Sequence, residues 1–200
     1  VVSLAKHLAY VPKSVTAPIA TVDVTFSTSP GSYLDRGSVF SATAGGQTYS
    51  FVTLSAYPYE YDSATNTWTA SNVQLYEGRL NTISFIVDDN NPDQKFIIPD
   101  NMVDTRTITI RVQKSTTDTT GFVDLWEPVN NVIDLKSSSK AYFIQEVEDE
   151  LFEIYFGDNI ISQGISDGNL IIIEYLSTNG IKANGMGITD KTNNRVFDFG

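Results

Sequence analysis

A hydrophobic period of two marks the clearest segments of this chain and points the fold to sheets. In residues 107–112, Ile108, Ile110 and Val112 alternate with Thr107, Thr109 and Arg111, so one face is apolar and the other polar. Residues 19–27 repeat the pattern, with Ala20, Val22, Val24 and Phe26 set against Thr21, Asp23 and Thr25. Apolar or β-branched runs at 39–43, 48–54, 57–61, 67–69, 73–76, 83–87 and 95–98 are separated by polar turns and read as strands. Ala44-Gly45-Gly46-Gln47 has the composition of a hairpin connection, and residues 62–66 that of a second turn. Short strands at this spacing, rich in Thr, Tyr, Phe and Val, predict a sandwich or barrel.

The second half continues the theme. Residues 115–121 are Ser, Thr, Asp and Gly and predict a linker or long loop. Strands are predicted at 122–126 and 132–135, then at 142–145, 151–156 and 170–175. The last three are tied by Gly157-Asp158-Asn159 and Ser166-Asp167-Gly168-Asn169, whose residues tolerate positive φ and bond their own backbone. At the other end Leu4 and Leu8 stand four apart and predict the last turns of a helix, stopped by Pro12. Residues 181–200 are rich in Gly and Asn, with a last strand expected at 195–199. The predicted fold is mainly β: two antiparallel, sandwich-like or barrel-like subdomains behind a short N-terminal helix tail. Residues 1–18 form the tail and its linker, 19–114 and 121–178 the subdomains, and 179–200 an exit segment. The chain reads as a segment of a longer protein.

Composition narrows the chemistry. Thirteen basic against twenty-four acidic residues give a formal charge of −11, and the basic residues are not clustered. Proteins that track phosphates need such clusters, so neither nucleic acid nor an anionic membrane surface is an expected partner. No apolar run reaches the roughly 20 residues of a membrane-spanning helix. Without cysteine, disulfides, thiolate metal sites and thiol nucleophiles are all excluded.

Four constellations invite a functional reading. The single histidine, His7, has no ligand or triad partner at a recognisable spacing and reads as a surface residue near a helix end. Asp89, Asn91, Asp93 and Asp100 fall at spacings close to those of a calcium loop. Gln94 replaces the glycine that such a loop needs, and the apolar residues after it give no flanking helix, so a polar loop is the preferred reading. Glu146, Glu148, Asp149 and Glu150 crowd a strand end and read as a solvated tip or a patch for a basic partner. Tyr57, Tyr59 and Tyr61 share one side of a short strand and, with Trp68 and Trp126, raise the alternative of a glycan-binding adhesin module; core or interface roles are the commoner use of aromatics. Gly45-Gly46 precedes a strand and not a helix, so no phosphate cradle is expected. No catalytic residue, cofactor or metal is predicted.

The order of pieces resembles the baseplate J-like family, whose members build the wedges of contractile phage tails and related injection machines. The similar segments are LAKHLAYVPKSVTAPIA at 4–20, Arg36-Gly37-Ser38-Val39-Phe40, Gly46-Gln47-Thr48-Tyr49-Ser50-Phe51, Tyr76-Glu77-Gly78, the strand ending Phe156-Gly157-Asp158, the run Leu170-Ile171-Ile172-Ile173-Glu174-Tyr175, and Asn179-Gly180. Together they cover most of residues 4–185 in the family's order. Asn159 stands where the family often has a second glycine, and residues 164–167 lack the frequent Pro-Pro step, which favours the T-even-like branch. The resemblance implies a structural, non-enzymatic part of the inner baseplate ring, in a virion assembled in the host cytoplasm. The implied partners are other copies of the chain, paired within a wedge and joined in a ring, and other wedge and hub proteins. It also implies that Leu4, Leu8, Phe156, Gly157, Asp158, Asn179 and Gly180 act as scaffold or contact residues.

Overall fold

The computed structural model describes residues 14–44, 46–91, 93–118, 123–129 and 134–180, together with strand positions 188–189, 195–196 and 198–199. The chain is mainly β, with sheets curled into half-barrel and near-barrel forms. In chain order the strands are β1 (Ile19–Phe26), β2 (Tyr33–Leu34), β3 (Val39–Ala44), β4 (Gln47–Thr53), β5 (Tyr57–Pro58), β6 (Glu60–Asp62), β7 (Thr67–Glu77), β8 (Arg79–Ile86) and β9 (Phe96–Ile98). There follow β10 (Val103–Gln113), β11 (Asp124–Pro128), β12 (Ala141–Glu146), β13 (Phe152–Phe156), β14 (Leu170–Ser177), β15 (Ile188–Thr189), β16 (Arg195–Val196) and β17 (Asp198–Phe199). Glu148–Glu150 form a single tight turn, with Asp149 and Glu150 at positive φ.

Two compact units divide the chain, and the division is not sequential. One comprises Val15–Leu80 with Leu176–Gly200, the other Val1–Ser14 with Asn81–Tyr175. In the first, β1, β7, β4, β3 and β17 follow one another across a sheet, and β6 pairs with the early part of β7. The alternation sends Leu75, Val73, Phe51 and Phe40 to one side, where they bury together with Leu34, Ala42 and Ala70. A smaller apolar group, Ala17, Val52 and Leu176, packs with Leu54, Tyr76 and Leu80.

In the second unit seven strands run in the order β8-β14-β10-β11-β12-β13-β9. Its core takes Ile108, Ile110 and Val112 from β10, Ile171 and Ile173 from β14, Ile154 from β13, and Trp126 and Tyr142. The Tyr142 hydroxyl donates to the Ile108 carbonyl at 3.1 Å, and burial, followed by the nearby Glu127 charge, pushes its pKa up. β11 and β12 pair in parallel, Glu127 facing Ala141 and Pro128 facing Tyr142.

Several expectations need correction. Residues 67–69 and 73–76 are one eleven-residue strand and not two. A bulge hides its continuity: Val22 faces Val73 but Val24 faces Ala70, so one residue of β1 meets two of β7. Ala70 and Val73 are consequently both buried although three apart, which breaks the period of two. Asn72, at φ 54°, occupies the bulge and donates its N–H to Asp23 Oδ1 at 2.8 Å. Residues 57–61 split the other way, because β5 pairs with β2 while β6 pairs with β7.

The expected strand at 122–126 is found as β11, starting two residues later, with Phe122 outside the described residues. Of 132–135 only Asp134 and Leu135 are described, and neither is in a strand. The expected strand at 195–199 appears as β16 and β17, each of two residues. The predicted helix tail, with Leu4, His7 and Leu8, lies outside the described residues. The division into 19–114 and 121–178 differs from the observed one. Residues 115–121, expected to be a linker or long loop, stand between β10 and β11, which are neighbours in one sheet, so the loop reading fits.

Candidate functional site

Glu77 is the most informative polar residue of the fold. It ends β7, in phase with inward-facing Val73 and Leu75, and is fully buried. Its Oε2 accepts the Thr178 hydroxyl at 2.6 Å and the Asn179 backbone N–H at 2.9 Å, and its Oε1 accepts the Asn179 side-chain amide at 2.7 Å. A buried carboxylate is tolerated when its lone pairs are occupied in this way. Thr178 Oγ1 in turn accepts the Gly180 N–H at 3.0 Å. Beside it Gly78, at φ 135°, lies so close to the Ser177 carbonyl that any Cβ there would overlap it. Tyr76-Glu77-Gly78 and Asn179-Gly180, a hundred residues apart in sequence, are therefore one clasp. It holds the chain where β14 ends.

A second knot follows β13. Phe156 meets Trp126 and Phe96 edge to face, with ring centroids 5.1 and 5.9 Å away. Gly157 then turns against Ser162 with no room for a methyl group. Asp158 Oδ1 accepts the N–H groups of Ile160 at 3.0 Å and Ile161 at 3.3 Å, and those bonds hold its pKa below the usual carboxylate range. Asn159, at φ 67°, donates its backbone N–H to the Ser162 carbonyl, and its Oδ1 accepts the Gly164 N–H. The loop is built from its own hydrogen bonds.

The candidate cation ligands are not brought together. Asp89, Asn91 and Asp93 lie exposed in the loop after β8, whereas Asp100 follows β9 and accepts the Met102 N–H at 2.8 Å. Asp89 donates its backbone N–H to Asp167, and Asp88 caps Asn90. Gln94 folds back on the end of β8, its Nε2 donating to the Ile86 carbonyl at 2.7 Å and its Oε1 accepting the Asp88 N–H at 3.0 Å. Among the described residues no cluster of three or more His, Asp or Glu could hold a metal ion. No described helix is long and apolar enough to cross a membrane.

The acidic run is a hairpin tip. Glu148, Asp149 and Glu150 are exposed, and Asp149 and Glu150 both have positive φ, 61° and 58°. Tyr57 and Tyr59 are turned partly into the first unit's core, where Tyr57 Oη accepts the Gln74 N–H. Tyr61 is half exposed and tilts over its cross-strand neighbour Trp68 at 4.9 Å.

The strand expected from the sequence ends at Tyr76, and Glu77 enters there only as part of a similar segment; the signal passed over is an acid in phase with the apolar Val73 and Leu75. The residue type of Asn159 predicts tolerance of positive φ and bonds to nearby backbone, and it shows both. Compared with known proteins, the chain matches no family model and no curated protein sequence.

Proposed function

We propose that this chain is a structural component of the baseplate wedge of a contractile phage tail, part of the inner ring that rearranges when the sheath contracts. The observation that carries the reading is the Glu77 clasp: two short motifs on which the resemblance rests meet in space and serve the fold. Residues of that kind act as scaffold, and the proposed role involves no catalysis and no cofactor. Partners would be further copies of the chain, paired in a wedge and repeated by rotation into a ring, with other wedge and hub proteins around them. A stiff β module displaced as a body suits a ring that widens. The test is electron cryo-microscopy of a contractile tail purified from the system that encodes this chain. Density for the seven-stranded sheet should recur around the inner ring; its absence from the tail, or its presence only at fibre tips, sinks the reading.

One observation favours a second reading, a glycan-binding module: exposed Tyr61, tilted over half-buried Trp68, offers a stacking step. Glycan-array binding abolished by Tyr61→Ala and unaffected by removing the Glu77 clasp would select it.

A further inference from the structure

Among the described residues of the unit formed by residues 81–175, the large exposed apolar side chains are Ile86, Val123, Leu125, Ile160 and Ile161. The topology brings all five to one end of the sheet. The end of β8 bonds the segment before β14 through Val87 with Gly168 and Asn169. Asn169 Nδ2 donates to the Lys114 carbonyl just after β10, and Val112 of β10 faces Asp124 of β11. The loop carrying Ile160 and Ile161 leaves β13 beside the start of β12, where Phe156 faces Tyr142, and Gln163 bonds Ser139. The loops at this end are thus stitched to one another.

Ile160 is 77% exposed and Ile161 49%, the former the highest value among the exposed large apolar residues. They sit at the apex of the loop that Gly157, Asp158 and Asn159 lock in one conformation. Holding the exposed part of these β-branched apolar groups rigidly in water costs solvation free energy. At an interface the same rigidity removes much of the ordering entropy of binding. Exposed Asp88, Asp89, Asp93, Asp158 and Asp167 at this end outnumber exposed Lys95, Lys114, Lys136 and Lys140, the last of which is paired with Asp124, in a chain with a net charge of −11. That charge opposes a second copy meeting the first face to face, and it favours a basic partner.

We infer that this loop-bearing end is a docking surface for a different protein, one that offers an apolar pocket for Ile160 and Ile161 rimmed by Lys or Arg. The inference rests on side-chain placement and stands whether or not the baseplate reading holds. The test puts a photoreactive phenylalanine analogue at Ile160 of the full chain, made in the cells that build its native assembly, with the same probe at exposed Ser63 as control. Expected is an adduct at position 160 and not at 63, mapping on a second protein to apolar residues flanked by Lys or Arg. Its yield should fall at least tenfold with Ile161→Ser, whose melting temperature should match that of the parent, and fall again in high salt. An adduct with the chain itself, an adduct on an acidic or uncharged polar segment, or no adduct above the control overturns the inference.

Discussion

Asn179 grips the carboxylate of Glu77 twice, through its side-chain amide at 2.7 Å and its backbone N–H at 2.9 Å, across 102 residues of chain. The backbone bond survives any substitution of Asn179, so the side chain's own share is measurable. Asn179→Ala should cost about 1.5–3 kcal/mol, the range for a bond to a charged group. Glu77→Ala should cost more, about 3–5 kcal/mol, because it leaves three donors unpaired and opens a cavity. Urea denaturation of both variants and of the double variant checks this. Additive losses would show that the two residues do not act as a unit.

Gly157→Ala should destabilise by several kcal/mol, since its methyl group would meet the Ser162 backbone as well as its hydroxyl. Ser162→Ala removes the hydroxyl and should leave most of that loss in place. Thermal unfolding of the two single variants and the pair separates a backbone clash from a side-chain clash.

Asp149 and Glu150 form the centre of a tight turn in which the Leu151 N–H reaches the Glu148 carbonyl. Two successive left-handed residues suit Asn-Gly, and each side chain held there costs about 1–2 kcal/mol. Asp149→Asn with Glu150→Gly should therefore stabilise the hairpin, raising the melting temperature by about 2–4 °C for each kcal/mol gained. A fall would mean that the acidic tip has folded-state partners of its own.

Asp158 gives a pH prediction with a definite sign. Its folded pKa is lowered, first by the Ile160 N–H and then by that of Ile161. In the unfolded chain it titrates near the ordinary value of about 3.9. Its contribution is thus complete above that value and is lost as pH falls through the lower folded one. Asp158→Ala should melt earlier than the parent at pH 7, with the gap narrowing below about pH 4. A gap independent of pH would assign the effect to packing instead of to the carboxylate.

The parts of the fold that were legible in the sequence are those where one face of a strand is covered, wholly or in part, along its length. β1, and the 108–112 stretch of β10, follow the period of two because nothing interrupts it. β7 was misread as two strands because the bulge at Asn72 shifts the phase by one residue, and a phase shift looks like a turn. The division into units was missed for a different reason. Pairings such as Phe152 with Ile98 join distant segments, and no local pattern records which strands become neighbours. At the candidate site, the Gly157-Asp158 turn announced itself through residue types that bond their own backbone. The meeting of Glu77 with Thr178 and Asn179 did not, since the spacing of partners is set by the sheets between them.

Because one unit opens at Val15 and is completed only from Leu176 onward, it cannot finish folding as it leaves the ribosome. Glu77 emerges 102 residues before Asn179, a delay of about 5–20 s at ordinary rates of translation. Throughout that interval its carboxylate stays hydrated and the other unit's strands are synthesised first. The clasp is therefore a late event in the life of each nascent molecule, and any truncation upstream of Thr178 leaves the earlier unit without its last stitch.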